Sequence, residues 1–470
     1  MTDWQPVIGL EIHVQLKTRT KMFCRCENVW GEESNTRTCP VCLAHPGALP
    51  VPNRQAIEWT IKLGLALGCE IATRALFHRK HYWYPDLPKG YQISQYDVPL
   101  ASDGRFTVPR ADGDDREIGI VRAHLEEDAA KTIHVGGAAG RLTGADHSLV
   151  DFNRGGAPLV EIVTDPDVRS PEEGRRFLQL LRQTVVELGI SDAEMEKGSL
   201  RCDANVSVRR ADETGFRTKT ELKNMNSFKF VADGIAAEIA RQISVYENGG
   251  DVSQETLHYD PGTGLVSPLR TKEYADDYRY FPEPDLVPVE PSPELVERLR
   301  AELPELPGAR IRRLEGEIGF TLASELVAAG RDPLLAAVAA QGVEPRTAAN
   351  FLMNDLVTDG VAAPDPGLIA ETIRRRRTLP PEVYRKAAEA ASLGNAAAVR
   401  ELLAETTITD AAELGRVIDA LLAENEDQVA AYRSGKKGLV GFFVGQVMKR
   451  TQGKADPRLV NDLLRNRLDA

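Results

Sequence analysis

The sequence lacks the features of a membrane or secreted protein. No part of its 470 residues approaches the roughly 18 consecutive apolar residues of a membrane span. Its start, Met-Thr-Asp-Trp-Gln, has neither the basic nor the apolar region of a signal peptide. Six cysteines are too few for a disulfide scaffold in a chain of this length. We therefore expect a cytoplasmic protein that does not act on a membrane.

Familiar nucleotide-binding loops are also missing. The sequence contains no G-x-x-x-x-G-K-[ST], no G-x-G-x-x-G and no kinase loop set. The charge balance is acidic, with 58 Lys and Arg against 70 Asp and Glu and a net charge of −12. This balance argues against nonspecific coating of nucleic acid, although it allows a local basic patch. Any nucleotide chemistry therefore needs a less common site.

The character of the chain changes at a proline-rich segment. Before it, several segments alternate apolar and polar residues, which predicts half-buried strands. The segment 281–293 holds five prolines and predicts an extended connector with a domain boundary. After it, Ala/Leu/Glu/Arg-rich segments of roughly ten to fifteen residues, punctuated by Gly and Pro, predict packed short helices. The fold class expected is α+β, with a sheet-based N-terminal part and a helical remainder.

The predicted N-terminal strands carry unusual polar faces. In residues 10–16 the alternation places four aliphatic side chains on one face and Glu11, His13 and Gln15 on the other. Segments 118–127, 202–209 and 217–223 repeat the pattern. A sheet with one apolar face against helices and one polar face indicates a platform for a polar substrate. The further polar-face residues are Arg122, His124, Glu126, Asp203, Asn205, Ser207, Arg209, Arg217, Lys219, Glu221 and Lys223.

Four of the six cysteines lie close together in the sequence, as Cys24-x-Cys26 and Cys39-x-x-Cys42. Two close pairs of thiolates satisfy the tetrahedral coordination of Zn²⁺, although the first pair is tighter than usual. The alternative is four unligated buried cysteines, but the intervening residues are polar and would make a poor core. The spacing favours a zinc site.

Two further groups of residues suggest phosphate chemistry. Any one of Glu11, His13, Glu126, Glu127 and Glu161 taken singly is best read as a solvated strand residue. Together their carboxylates and one imidazole would suit a hard cation such as Mg²⁺. The segment 80–95 offers Lys80, Lys89 and the backbone at Gly90 as phosphate contacts, or it is simply a packed loop with aromatic anchors.

The basic charge of the chain is concentrated at its end. Residues 433–470 hold nine Lys and Arg against three Asp, a net of +6, which leaves −18 for the rest. The default interpretation of such a charge run is a solvated face. A protein that must hold a polyanion needs a local positive field somewhere, and this segment is the candidate.

Eight strings of residues, in order along the chain, resemble the B subunit of the aspartyl/glutamyl-tRNA amidotransferases. So long an ordered series of specific strings is very improbable by chance. The strings are Ile8-Gly-Leu-Glu-Ile-His-Val-Gln-Leu16, Tyr84-Pro-Asp-Leu-Pro-Lys-Gly-Tyr-Gln-Ile-Ser-Gln95, Glu126-Glu-Asp-Ala-Ala-Lys131, Asp151-Phe-Asn-Arg-Gly-Gly-Ala-Pro-Leu-Val-Glu-Ile-Val163, Gly198-Ser-Leu-Arg-Cys-Asp-Ala-Asn-Val-Ser207, Lys219-Thr-Glu-Leu-Lys-Asn-Met-Asn-Ser-Phe228, Asp277-Tyr-Arg-Tyr-Phe-Pro-Glu-Pro-Asp-Leu286 and Val444-Gly-Gln-Val-Met-Lys449.

The resemblance implies three parts: a cradle domain over residues 1–291, a helical domain over 292–407 and a tail related to the YqeY proteins over 408–470. It implies a reaction in which ATP and Mg²⁺ convert the side-chain carboxylate of Glu or Asp, misacylated onto tRNA(Gln) or tRNA(Asn), into an acyl phosphate that ammonia then displaces. The implied partners are an amidase (glutaminase) subunit and a small third subunit, which complete a heterotrimer, and the misacylated tRNA.

The resemblance also assigns roles to residues. Glu11, His13, Glu126 and Glu161 match the magnesium-site strings and are the expected catalytic residues, with Glu127 not separable from Glu126. Some members of the family hold a structural zinc at the cysteines, and all four cysteines are present here. The nucleotide contacts remain Lys80, Lys89 and Gly90, and the residues expected to bind tRNA are Lys436, Lys437, Lys449, Arg450 and Lys454.

Two rival interpretations stay open at this point. One is the archaeal-type protein, which acts only on Glu-tRNA(Gln) and carries an inserted synthetase-like domain; no such stretch interrupts residues 290–430. The other is a noncatalytic tRNA-binding scaffold, in which the basic tail is functional and the cradle is structural. Hydrolysis of ATP that depends on tRNA distinguishes the scaffold from the enzyme.

Overall fold

The computed structural model describes residues 3–136, 144–271, 275–357, 364–404, 410–451 and 454–469. The chain forms two compact units, Met1–Arg310 and Ile311–Ala470. The strands lie in the first unit, and helices dominate the second. The strands are β1 (Trp4–Gln15), β2 (Glu70–Ile71), β3 (His78–His81), β4 (Tyr91–Ser94), β5 (Ala101–Val108), β6 (Arg116–Glu127), β7 (Lys131–Val135), β8 (His147–Asp151), β9 (Pro158–Thr164), β10 (Leu200–Arg210), β11 (Thr220–Met225), β12 (Glu255–Asp260), β13 (Leu265–Thr271) and β14 (Phe281–Pro282).

Helices of eight to twenty residues account for most of the remaining regular structure. They are α1 (Arg54–Ala66), α2 (Pro171–Glu187), α3 (Phe228–Glu247), α4 (Pro293–Ala301), α5 (Pro307–Ile318), α6 (Phe320–Ala328), α7 (Asp332–Ala339), α8 (Pro345–Asn354), α9 (Pro366–Arg375), α10 (Pro381–Ser392), α11 (Ala396–Leu403), α12 (Ala411–Glu424), α13 (Glu426–Arg433), α14 (Val440–Arg450) and α15 (Pro457–Leu468). None of the helices in the described ranges combines the length and the apolar character that crossing a membrane requires.

A nine-stranded sheet is the framework of the first unit. Its strand order is β13-β12-β11-β10-β1-β9-β6-β5-β2. Neighbouring strands run antiparallel except β11 and β12, which are parallel and are joined through helix α3. The centre of the sheet is therefore β1, β9 and β6, three strands that are distant in sequence.

The sheet has one apolar and one polar face, as the alternation predicts. On β1, Leu10, Ile12 and Val14 are each at most 1% exposed, whereas Glu11 and His13 on the opposite face are partly exposed. Helices cover the apolar face: α3 contacts β10 and β11, and α2 contacts both α3 and β5. The polar face is left available for ligands.

Helix α2 begins at a typical capping sequence, Ser170-Pro171-Glu172-Glu173. The side chain of Ser170 accepts a hydrogen bond from the backbone N–H of Glu173, and Pro171 occupies the first helical turn, where its missing N–H costs nothing. The helix ends at Glu187 with Leu188 as its C-cap, and the next residue is Gly189, whose φ of +73° suits glycine. These caps define the two ends of helix α2.

The proline-rich segment continues the first unit. Phe281 pairs with Arg79 in a small sheet of order β14-β3-β4, and Val289 pairs with Ala75 in an isolated bridge. These pairs hold the extended segment against the unit, which therefore continues to Arg310. The narrower limits expected at residues 291 and 407 remain predictions.

The second unit is helical throughout its described residues and confirms the α+β class. Its last helices, α12 to α15, share a core of their own. The buried residues of this core are Leu414, Ile418, Leu421, Tyr432, Phe443, Val447, Ala455, Val460, Leu464 and Leu468.

One detail of the strand prediction needs correction. Strand β11 starts at Thr220, so of the four predicted polar-face residues Arg217, Lys219, Glu221 and Lys223 only the last two lie within it. Arg217 precedes the strand, and its guanidinium pairs with Glu213 and stacks on the rings of Trp4 and Tyr246.

Candidate active site

A row of three polar side chains crosses the centre of the sheet. Glu161 on β9 lies directly opposite His13 on β1 and opposite His124 on β6. Side chains at paired positions on one face are neighbours. Accordingly, Nε2 of each histidine lies 3.6 Å from Oε2 of Glu161. Two strand pairings alone thus build the core of the site.

Glu126 completes a compact cluster with this row. Its Oε1 lies 3.4 Å from Nε2 of His13. One ligand atom from each of His13, Glu126 and Glu161 lies within 4.8 Å of the other two. We call these three residues the carboxylate cluster. Glu11, the fourth residue expected there, lies one position along the same face, where the amide of Asn205 donates to its Oε1 at 3.1 Å.

Electrostatics within the cluster favour ionised carboxylates. Burial disfavours an imidazolium, but hydrogen bonds to Glu126 and Glu161 raise the pKa of His13 to about 10. Burial opposes the ionisation of Glu161, yet the neighbouring imidazoles of His124 and His13 lower its pKa. Burial lowers the pKa of His124, which favours its neutral form. The cluster therefore places two carboxylates around one positive charge, which is the imidazolium of His13 and which a bound cation can replace.

The structure separates Glu127 from Glu126. Adjacent residues of a strand point to opposite faces, so Glu127 lies on the other side of β6. There its Oε1 accepts the backbone N–H of Ile93 at 2.9 Å and pairs with Nζ of Lys89 at 2.5 Å. Glu127 and Lys89 line a different cavity, next to the cysteines.

The carboxylate cluster opens into a cavity of about 610 Å³. Lys80 lines it, with Nζ 4.7 Å from the ring centre of Tyr278. Lys80 and Lys89, predicted together as phosphate contacts, therefore face different cavities. Gly90 lies beside Lys89 in a turn, at a φ of +72°, where a side chain would meet the ring of Trp83.

Further charged residues from the polar strand faces and several tyrosines also line this cavity. Nζ of Lys223 lies 2.5 Å from Oδ2 of Asp203 and 3.5 Å from Oε1 of Glu221. Tyr96 and Tyr280 stack face to face, with ring centres 4.1 Å apart. The available signals were the strand alternation and the Asp277-Tyr-Arg-Tyr-Phe281 string. The lining residues that the alternation placed on the polar face are Arg122, His124, Asp203, Glu221 and Lys223, and those that it did not predict are Tyr82, Tyr84, Tyr96, Tyr278 and Tyr280.

The four cysteines predicted as zinc ligands come together. One Sγ atom from each of Cys24, Cys26, Cys39 and Cys42 lies within 4.8 Å of the other three. We call this group the cysteine cluster. The turn at Cys39 is closed by the N–H of Leu43 on the carbonyl of Cys39, and the N–H of Cys39 donates to Sγ of Cys42 at 3.2 Å. Cys69 and Cys202 are buried elsewhere.

The donor set of each cluster fits a different cation. Four thiolates in a tetrahedral-sized group match zinc. Carboxylate oxygens with one imidazole and an open cavity match a hard divalent cation that keeps waters. Hydrogen bonding from Cys24, together with the nearby charge of Lys21, lowers the pKa of Cys42 to about 4 although burial acts in the opposite sense. A thiolate is thus favoured even before a metal is considered.

The basic residues of the tail differ in their pairing. Lys437 pairs with Asp469 at 2.6 Å, and Arg450 pairs with Glu424. Lys436 and Lys449 are exposed, and neither makes an ion pair within the described part of the chain. Lys454 is half-buried and keeps contacts of its own. The five predicted tRNA contacts are therefore not equivalent.

Comparison with known proteins defines the class. Residues 6–297 match the family model described as the GatB/GatE catalytic domain, and residues 388–468 match the model described as the GatB domain. The first match covers the large sheet, the carboxylate cluster and the cysteine cluster. The chain therefore belongs to the GatB/GatE family, and the resemblance seen in the sequence is confirmed.

Full-length relatives narrow the class further. The chain is 46% identical to the B subunit of the aspartyl/glutamyl-tRNA(Asn/Gln) amidotransferase of Moorella thermoacetica, over 99% of this chain and all of that protein. It is 47% identical to the corresponding B subunit of Geotalea daltonii over 99% of both chains. It is 46% identical to that of Leifsonia xyli, over 99% of this chain and 96% of the relative.

Proposed function

We propose that this chain is the activating subunit of a tRNA-dependent amidotransferase and acts in the cytoplasm. It would phosphorylate the side-chain carboxylate of Glu or Asp on misacylated tRNA(Gln) or tRNA(Asn), and ammonia would then yield the amide. The observation that carries the proposal is the carboxylate cluster at the floor of a large polar cavity, in a chain whose full-length relatives carry the name of that enzyme's B subunit.

The reaction needs positioned charge rather than a protein nucleophile. An oxygen of the substrate carboxylate bonds to the γ-phosphorus of ATP as the bond to ADP breaks. The nitrogen of ammonia then bonds to the acyl carbon as phosphate leaves. Both steps move negative charge on phosphate oxygens, so cations in fixed positions stabilise them. Among the described residues, no Ser or Cys lines the cavity beside the carboxylate cluster except Ser94, whose Oγ lies 3.5 Å from Glu126.

We assign the magnesium ligands to His13, Glu126 and Glu161, with Glu11 adjacent. A bound Mg²⁺ would neutralise phosphate charge and orient the transferring group. The chain supports this site with Arg122, 3.7 Å from Oε1 of Glu161, and with His124 on the other side of that carboxylate. Lys80 lines the same cavity and supplies a phosphate contact.

We assign zinc to the cysteine cluster, with a structural role. Four thiolates leave no open coordination position for a substrate. The loop that carries Cys39 is otherwise held by polar contacts to the end of β8 and the residues just after it: the N–H of Arg37 donates to Oδ1 of Asn153 at 2.8 Å, and the N–H of Asn35 donates to Asp151. A metal would fix this exposed loop where no apolar core does.

The proposal includes partners. An amidase (glutaminase) subunit would supply ammonia, and a small third subunit would complete a heterotrimer. The tail would supply tRNA affinity through Lys436, Lys449 and Lys454, with Lys437 and Arg450 contributing less because acidic neighbours already offset their charge. The archaeal-type alternative and the noncatalytic scaffold are outcomes of the following test.

Hydrolysis of ATP should depend on misacylated tRNA. The complex reconstituted with both partner proteins is expected to release ADP in the presence of Glu-tRNA(Gln) or Asp-tRNA(Asn), and not with the correctly amidated Gln-tRNA(Gln). Release with Glu-tRNA(Gln) alone would favour the archaeal-type specificity. A scaffold has no reason to hydrolyse ATP, so the absence of ADP with both misacylated tRNAs would refute the proposed activity.

Removing charge from the tail should weaken tRNA binding selectively. The Lys436→Gln/Lys449→Gln variant is expected to bind tRNA less tightly and to show a shallower salt dependence, by about 0.7–0.9 in the log–log slope for each lost phosphate contact. The matched control, Lys437→Gln/Arg450→Gln, removes as much charge from positions that are already paired. Filter binding between 50 and 200 mM salt measures both, and equal slopes for the two variants would contradict the assignment. Substitutions are preferable to deletion because α14 and α15 build the tail core.

A further inference from the structure

The largest fully buried charged side chain in the described part of the protein is Lys21. Its exposure is 0%, and its ammonium lies between the cysteine cluster and the segment that leads into β9. Nζ lies 3.7 Å from Sγ of Cys42 and donates to the carbonyl oxygen of Phe152 at 3.0 Å. An ammonium in such a place needs a negative partner, because burying an uncompensated charge is costly.

No carboxylate within the described residues provides that partner. Lys21 forms no ion pair with Asp or Glu there. Glu127 lines the same cavity, but its Oε1 is taken by Lys89 and by the backbone of Ile93. The atom within reach of Lys21 that carries negative charge as a metal ligand is the sulfur of Cys42.

We propose that Lys21 is a buried counter-cation of a tetrathiolate metal centre. Its side chain and the backbone beside it also connect this centre to residues 152–156. The inference takes the metal of the proposed function as given and adds a role for a residue outside the ligand set. A divalent cation and Lys21 together offset three of the four thiolate charges, which a divalent cation alone does not. Groups of this kind around a metal typically change its affinity by about 10–100-fold.

The backbone around Lys21 supports the second half of the proposal. The N–H of Lys21 donates to the carbonyl of Cys26 at 2.9 Å and closes the turn that holds the first cysteine pair. The N–H of Met22 donates to the carbonyl of Gly156 at 2.7 Å. Gly156 has a φ of +87°, and a Cβ there would lie 3.5 Å from Cδ of Lys21 and 3.8 Å from Cβ of Cys42. The two segments therefore lie within van der Waals distance of each other at Lys21.

The contacts continue from this point toward the carboxylate cluster. The N–H of Gly156 donates to the carbonyl of Asp128 at 2.8 Å, and strand β9 begins two residues later. Asp128 in turn pairs with Arg201, which lies opposite His13 in the sheet. A displaced cysteine cluster would therefore disturb the start of the strand that carries Glu161.

Metal affinity of the purified full-length chain tests the proposal. The variant Lys21→Met keeps an unbranched side chain one atom shorter and removes its charge, and Lys17→Met is the control because Lys17 is exposed. Competition with a chromophoric chelator should show zinc binding about 10–100-fold weaker in Lys21→Met and unchanged in Lys17→Met. Lys21→Arg, which retains the charge, should recover most of the affinity. Zinc affinity equal to wild type in Lys21→Met would overturn the proposal.

A second background separates charge compensation from packing. In a chain with Cys24, Cys26, Cys39 and Cys42 all replaced by Ser, Lys21 has no thiolate to compensate, so Lys21→Met should be neutral or stabilising in thermal unfolding. The same substitution should lower the unfolding temperature when the cysteines and zinc are present. Equal destabilisation in both backgrounds would show that Lys21 only fills space. The zinc content of the wild-type chain tests the metal centre itself. Failure of the zinc assignment can therefore be distinguished from failure of the proposal for Lys21.

Discussion

Replacing Glu161 by Gln, or His13 by Ala, is expected to lower the rate of substrate phosphorylation by at least about 100-fold. Glu161 is the meeting point of the site, because His13, His124 and Arg122 all lie within 3.7 Å of its carboxylate oxygens. The change removes a cation ligand and leaves the shape of the strand intact. Single-turnover formation of ADP from ATP and misacylated tRNA measures the loss.

The same strand that carries Glu126 supplies a matched control. Glu117 lies on β6, is exposed and bonds to Thr107 away from the cavity. Glu117→Gln should therefore phosphorylate substrate at the wild-type rate. Ammonia production by the amidase partner should persist in all the variants, since none of them changes that protein. Normal phosphorylation by folded Glu161→Gln and His13→Ala proteins would show that the site is misplaced.

The double variant Cys39→Ser/Cys42→Ser is expected to lose its zinc, from about one ion per chain to less than about a tenth. Two thiolates remain, and two protein ligands are too few to retain a structural zinc in competition with water and buffer molecules. The loop at residues 32–42 should then become accessible to proteases, because its remaining anchors are exposed hydrogen bonds to residues 150–153. Metal analysis and limited proteolysis measure the two effects.

Cys69→Ala is the control for the cysteine variant. Cys69 is buried in the first unit but lies outside the cysteine cluster. Its replacement removes one thiol and should leave the zinc content at about one per chain. Full zinc occupancy in the Cys39→Ser/Cys42→Ser protein would exclude the cluster as the metal site.

Local patterns in the sequence are sufficient to predict several features of this fold. The alternation in residues 10–16 predicts which face of β1 is buried, and the serine and proline at 170 and 171 predict where α2 begins. The same alternation also predicts the face of β6 on which Glu127 lies. His124 and Glu126 share one face, so Glu127 must lie on the other.

The pairing of distant strands could not be predicted in this way. The site exists because β9 lies between β1 and β6, so that Glu161 is opposite both His13 and His124. Alternation assigns a face to each residue but says nothing about strand order. The tail shows the same limit, since Glu424 and Arg450 are 26 residues apart and meet only when the helices pack.

The placement of Glu126 and Glu127 on opposite faces of β6 also determines how this protein tolerates change. A point substitution on the polar face is expected to change the chemistry and leave folding intact. A substitution on the apolar face is expected to disturb folding and leave the chemical groups in place. An insertion of one residue between positions 122 and 126 would exchange the surroundings of the two glutamates and expose the apolar side chains that follow. Libraries for altered substrate preference should therefore vary residue identity along positions 122–127 of β6 at constant length.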